Sequence, residues 1–136
     1  DFPNGKVLAC EKERELLNDP KLNLSNYMFP APVVCEADVY VNDGDMLKIG
    51  EMELKFIHTP GHSPGGMCIY VDNILFSGDT LFASSIGRTD FEGASFEEIK
   101  KSIHEKIFIL PDDTQVLPGH MGLTTIGYEK EHNPFV

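Results

Sequence analysis

The feature that most constrains this chain is a succession of short strand-forming segments set off by turn residues. Met52, Leu54 and Phe56 alternate with Glu53 and Lys55, the period of a half-buried strand. Two further apolar runs follow, Met67 to Val71 and Ile74 to Phe76, separated by Asp72-Asn73, a pair suited to a tight hairpin turn. Upstream, Asp43-Gly44-Asp45 and Gly50-Glu51 bracket Met46 to Ile49 as another short strand. The spacing then becomes helical. Phe96, Ile99, Ile103, Ile107 and Leu110 share one stripe, which predicts a helix over about 96–108. Ser95 and Glu98 form a capping-box pattern that would satisfy two free amide donors at its start. Thr114 to Leu117 reads as a last strand, so the whole predicts a mixed α/β layer architecture.

The amino-terminal part is less patterned. Lys6 to Ala9 is a short apolar stretch, and Glu11 to Leu17 is rich in helix formers up to Asn18-Asp19-Pro20. Residues 20–37 read as loop, punctuated by Pro20, Pro30 and Pro32. A length of 136 residues suits one domain. Eleven Lys and Arg against 22 Asp and Glu leave a net charge of −11, which argues against nucleic acid or an anionic membrane surface as partner. The longest apolar runs are far too short to span a bilayer. Cys10, Cys35 and Cys68 form no CxxC pair, so a disulfide framework is disfavoured and a reducing cytoplasm is the simplest compartment. They read as small buried hydrophobes.

Three polar residues share one local context. His62 in Thr59-Pro60-Gly61-His62, Asp79 in Ser77-Gly78-Asp79-Thr80 and His120 in Leu117-Pro118-Gly119-His120 each follow a strand and sit in a glycine-bearing loop. Such loops are where a rigid scaffold carries its functional groups. Imidazole and carboxylate together suit a divalent metal such as zinc or iron. Each alone could be an ordinary turn residue; their order after three successive strands favours a joint site. His58 continues the Phe56 side of its strand and reads as a hydrogen-bonded supporting residue. His104 and His132 read as surface residues.

TPGHSPGG, FSGDTLF, SIGRTDF and LPGH, with the ending TTIGYEKEHNPF, resemble the C-terminal half of metallo-β-lactamase-fold hydrolases. The likeness is greatest to the hydroxyacylglutathione hydrolase (glyoxalase II) branch, and it runs from about Val39 to the end. It implies the C-terminal half of a four-layer αββα sandwich and a dinuclear centre, zinc foremost, with iron or manganese as alternatives. By motif position, His62 would ligate the first metal, Asp79 would bridge both and His120 would ligate the second. Arg88 would hold a carboxylate of a small thioester substrate, the alternative being a local ion pair with Asp90 or Glu92.

The family's HxHxDH segment, which supplies four more ligands, does not occur in this sequence. Asp1 to Val7 resembles the stretch that follows it. The expectation is therefore a single, amino-terminally truncated domain over 1–136, inactive as it stands, from a metal-dependent thioester or ester hydrolase. A persulfide dioxygenase-like iron enzyme is the rival within the fold, and a non-catalytic binding or structural module that retains half of the fold is the rival of a different class. Truncation would also uncover the sheet face bearing Met52, Leu54 and Phe56, so self-association is expected.

Overall fold

The computed structural model describes residues 4–136, so Asp1, Phe2 and Pro3 lie outside the described residues. A six-stranded mixed sheet forms its centre, in the order β10-β9-β6-β5-β4-β3. The strands are β3 (Met46–Ile49), β4 (Met52–His58), β5 (Met67–Val71), β6 (Ile74–Gly78), β9 (Gln115–Pro118) and β10 (Thr124–Thr125). β3 to β6 are joined as antiparallel neighbours, and β6 lies parallel to β9. Asp72 and Asn73 both have positive φ, 48° and 62°, as a two-residue hairpin turn between β5 and β6 requires. Because β5 runs against both β4 and β6, strands β4, β6 and β9 all point the same way. Their carboxyl ends therefore reach one edge of the sheet.

One face of this sheet carries Ile57, Cys68, Leu75 and Val116, which pack with Ile99, Ile103, Ile107 and Ile126 into the buried core. The predicted helix is present, but in two parts. α3 (Phe96–Ser102) is α-helical, and Ile103–Ile107 is a π turn closed by Phe108 N–H donating to the Ile103 carbonyl at 2.8 Å. The sequence explains the change. Ile99, Ile103 and Ile107 are four apart, and in an α-helix of 3.6 residues per turn each such step drifts by about 40°. The wider turn restores alignment, and all three side chains are fully buried.

The capping box is half formed. Ser95 Oγ accepts from Glu98 N–H at 3.3 Å, but Ser95 N–H donates to the Gly61 carbonyl at 2.7 Å, so the second expected donor is used to tie the helix to a loop.

The opposite face carries Leu54, Phe56, Ile69, Phe76 and Leu117. β1 (Leu8–Cys10) and β2 (Val39–Val41) form a small parallel pair beside it, and Leu8, Ala9, Cys10 and Val41 line a cleft with Phe56, Met67 and Ile69. The pair covers Phe56 but leaves Phe76 44% and Met52 46% exposed.

The helix-forming stretch after β1 becomes a 3₁₀ turn (Glu11–Glu13) and α1 (Arg14–Asn18). A short α2 (Ser25–Met28) interrupts the region expected to be loop, fixed by Ser25 Oγ, which accepts from Val33 N–H and donates to its carbonyl. Cys10 and Cys68 are buried as expected, and burial raises both thiol pKa values. Cys35 is exposed, because its segment runs over the surface after α2.

β7 (Leu81–Phe82) and β8 (Ser85–Ile86) make a small hairpin after β6, and α4 (Ile126–His132) lies within the TTIGYEKEHNPF ending, for which no helix was expected. Among the described residues no helix is long and apolar enough to cross a membrane.

The π turn gives a direct test. Ile103→Ala is expected to destabilise the fold by about 2–5 kcal/mol in urea unfolding. Ile109→Ala, at a side chain 74% exposed, should stay within about 0.5 kcal/mol of wild type.

Candidate metal centre

The codirectional ends of β4, β6 and β9 bring the three sequence-selected residues together. The Asp79 carboxylate lies between the two imidazoles. Its Oδ2 is 3.5 Å from His62 Nε2, and its Oδ1 is 3.5 Å from His120 Nε2. Both separations are too long for good hydrogen bonds. They match the distance between two ligand atoms of a tetrahedral ion, about 3.4 Å when each lies about 2.1 Å from the metal. Each oxygen thus faces a different histidine. Among the described residues no three His, Cys, Asp or Glu groups converge on one ion position.

The backbone dictates this geometry. Gly119 N–H donates to the Gly78 carbonyl at 2.8 Å, locking the His120 loop onto the Asp79 loop. A Cβ on Gly119 would sit 2.6 Å from Asp79 Oδ1, and one on Gly87 only 1.8 Å from the Asp79 carbonyl oxygen. These glycines are needed for the space they leave. A register shift between Phe76 and Gly78, with Gly78 at φ +50°, turns the end of β6 so that Asp79 leaves the strand plane.

His62 is firmly held. Its Nδ1 lies 3.0 Å from the Arg88 carbonyl, so Nδ1–H donates there and Nε2 is the ring nitrogen that faces Asp79. The Phe91 ring meets it edge-on at 5.1 Å. The His62 loop is also tied down by Thr59 N–H to the Gly66 carbonyl, by Ser102 Oγ to the Pro60 carbonyl and by Gly65 N–H to Glu13 Oε2. His58 has the supporting role expected of it, with Nε2 2.8 Å from the Pro64 carbonyl.

Beneath the loops lies a buried polar cluster that sequence reasoning missed. Thr59 and Thr80 hydroxyls are 2.9 Å apart, Cys68 Sγ donates to the Ser77 carbonyl, and Ser77 Oγ donates to the Leu81 carbonyl at 2.7 Å. The only sequence signal was small hydroxyl residues flanking the glycine loops. Lys106, on the π turn, donates to the His58 carbonyl and to Asp43. Burial alone would raise the Asp43 pKa, but Lys106 and the His58 N–H bring it below the usual range.

Arg88 is 76% exposed, and its fork grips both oxygens of Asp90 at 2.9 and 3.0 Å. That contact raises the Arg88 pKa and lowers that of Asp90. His104 and His132 are on the surface, resting against Phe108 and Tyr128.

A family model described as the metallo-beta-lactamase superfamily matches residues 3–120. The chain is 40% identical over 133 residues to a probable metallo-hydrolase, YqgX, of Bacillus subtilis, covering 96% of this chain and 63% of that protein. It is 41% identical over 96 residues to the hydroxyacylglutathione hydrolase GloC of Haemophilus influenzae, covering 69% of this chain and 45% of that one. Among solved structures, the B3 metallo-beta-lactamase BLEG-1 superposes with a TM-score of 0.86 at 45% identity, over 96% of this chain and 64% of that one. TTHA1623, solved in a di-iron-bound form, gives 0.82 at 29% identity, over 98% and 66%. The chain spans about half the length of the curated relatives it matches, 48% and 44% for two of them.

Gly119→Ala is expected to turn the Asp79 carboxylate away from His120, lengthening the 3.5 Å approach in a crystal structure of the variant. Gly122→Ala, where a Cβ meets nothing within 4 Å, should leave that distance unchanged.

Proposed function

This chain belongs to the metallo-beta-lactamase superfamily, and from that premise we propose that it supplies His62, Asp79 and His120 to the dinuclear centre of a metal-dependent thioester or ester hydrolase. The observation that carries the reading is the Asp79 carboxylate, with one oxygen toward each histidine at 3.5 Å. The name of GloC supports a hydroxyacylglutathione-type thioester as the substrate class. Zinc suits the nitrogen and oxygen donors, and the di-iron form of TTHA1623 supports iron as the alternative.

When bound, such metals polarise an acyl carbonyl and lower the pKa of a water. The chain's own residues do the rest. His62 presents Nε2 in one tautomer because the Arg88 carbonyl takes its Nδ1–H. Asp79 holds two negative oxygens apart on one rigid turn, and His120 faces it from the neighbouring strand end. Arg88 lies just beyond on a solvent-facing loop, where it would take a substrate carboxylate by leaving Asp90. Exposed pairs of this kind are weakly held.

A persulfide dioxygenase-like site needs two histidines and a carboxylate on one iron. The two-sided disposition around Asp79 favours the dinuclear reading over it.

Three donors divided between two ions make a weak site by themselves. The isolated chain is expected to bind Zn²⁺ loosely in equilibrium dialysis and to turn over S-lactoylglutathione negligibly. Two tightly held ions per chain would overturn this division of ligands. In a protein carrying this chain together with an HxHxDH segment, His62→Ala, Asp79→Asn and His120→Ala should each lower kcat/KM on the order of 10³-fold or more. Arg88→Ala should mainly raise KM. Full activity in Asp79→Asn would refute the proposal.

A further inference from the structure

The two histidines are held in very different ways. His62 has a hydrogen bond at Nδ1, whereas the His120 ring makes none to the described residues and is 71% exposed. It stands across the Phe82 ring, whose centroid lies 5.7 Å from that of His120 at 83°. Phe82 sits on the β7–β8 hairpin, and the loop after His120 closes at Thr124, where β10 pairs with β9. Both supports converge on a single buried carboxylate.

Glu129, on α4, is fully buried. Its Oε2 accepts from Ser84 N–H at 2.9 Å, at the tip of the hairpin, and from Asn133 Nδ2 at 2.8 Å. Its Oε1 accepts from Thr124 Oγ at 2.5 Å. Asn133 Nδ2 also donates to the Ser85 carbonyl at 3.0 Å, so the pair grips both sides of the hairpin tip. Ser84 has φ +55°, a left-handed conformation uncommon for serine, and the Glu129 bond to its N–H helps hold it there. A buried ionisable group with only neutral donors is costly unless fully hydrogen-bonded. All of its donors here come from the segments that flank His120 or from Asn133.

We propose that Glu129, with Asn133, is a positioning residue that fixes the orientation of the His120 ring, through Phe82 on one side and Thr124 on the other. The consequence for metal binding rests on the reading of His120 as a ligand; the positioning itself does not.

The experiment therefore has two readouts on the 136-residue chain. The first is metal-free: nuclear Overhauser contacts between the His120 and Phe82 rings. Glu129→Ala should abolish them in a protein whose far-UV circular dichroism is unchanged. Glu129→Gln should keep them, since its carbonyl can accept from Ser84 and Asn133 while its amide donates to Thr124. Contacts that persist in folded Glu129→Ala overturn the proposal. The second is Zn²⁺ affinity by titration with the metal alone. Glu129→Ala should weaken it about ten-fold, and should have no further effect in a His120→Ala background. An equal loss in both backgrounds would mark a general packing defect and also overturn it. If His120→Ala leaves Zn²⁺ affinity unchanged, the metal reading fails while the ring contacts still decide the positioning. Should Glu129→Ala not fold, Thr124→Val removes one donor from the same carboxylate and is read by the same ring contacts.

Discussion

The pairing of β6 with β9 is the constraint on which the rest of the site depends. These strands are distant in sequence, and parallel neighbours need a crossover, here the β7–β8 hairpin and α3. Their register is pinned at the far end by Asn73. Its carbonyl accepts from Gln115 N–H at 3.1 Å, and its Oδ1 accepts from the Thr114 hydroxyl at 2.8 Å. Asn73 also supplies one of the two positive-φ residues of the hairpin, so one residue sets both the β5–β6 turn and the β6–β9 alignment. At the near end the same register puts Gly78 beside Pro118, and the next residues are Asp79 and Gly119. A slip by one residue would reverse every side chain of β9 between core and open face, so the core enforces the alignment that the site uses.

Above that base the site is shaped by what is left out. Gly87 and Gly119 give the Asp79 backbone and carboxylate their space, and a methyl group at either place collides. The buried hydroxyls of Thr59, Ser77 and Thr80 supply bonds that would otherwise be missing where strands give way to loops. Each lies within three residues of His62 or Asp79. The cluster and the glycines thus do complementary work, one by contact and the other by vacancy, and both hold side chains that touch each other only across 3.5 Å gaps.

Much of this was legible in the sequence, for reasons that mark the limits of such reading. Period-two alternation gave the strands, and Asp72-Asn73 gave the turn, because both are local properties of the chain. His62, Asp79 and His120 stood out because glycine loops after strands are local too. The π turn did not, since the four-residue spacing of Ile99, Ile103 and Ile107 also suits an ordinary amphipathic helix. The second half of the capping box failed because Ser95 N–H found Gly61, a partner far away in sequence. α4 was hidden in a polar tail whose helix start, Thr125 Oγ accepting from Tyr128 N–H, has no glutamate three residues on to announce it. Glu129 gave no signal at all: nothing in the sequence distinguishes a buried glutamate from an exposed one.

The uneven anchoring of the two histidines has a physical cause in the fold. His62 lies between β4 and α3, so elements on both sides donate to or accept from its loop, down to Lys106 on the π turn fastening the His58 carbonyl. His120 lies toward the far side of the sheet, where β10 has only two residues and Met121 and Leu123 are 67% and 73% exposed. Among the described residues no strand lies beyond β10 in that sheet. α4 arrives there later in the chain, and its one carboxylate reaches two segments at once, accepting from Ser84 N–H and from the Thr124 hydroxyl. The carboxyl-terminal helix thereby joins, through one buried side chain, the hairpin that carries Phe82 and the strand that ends the His120 loop.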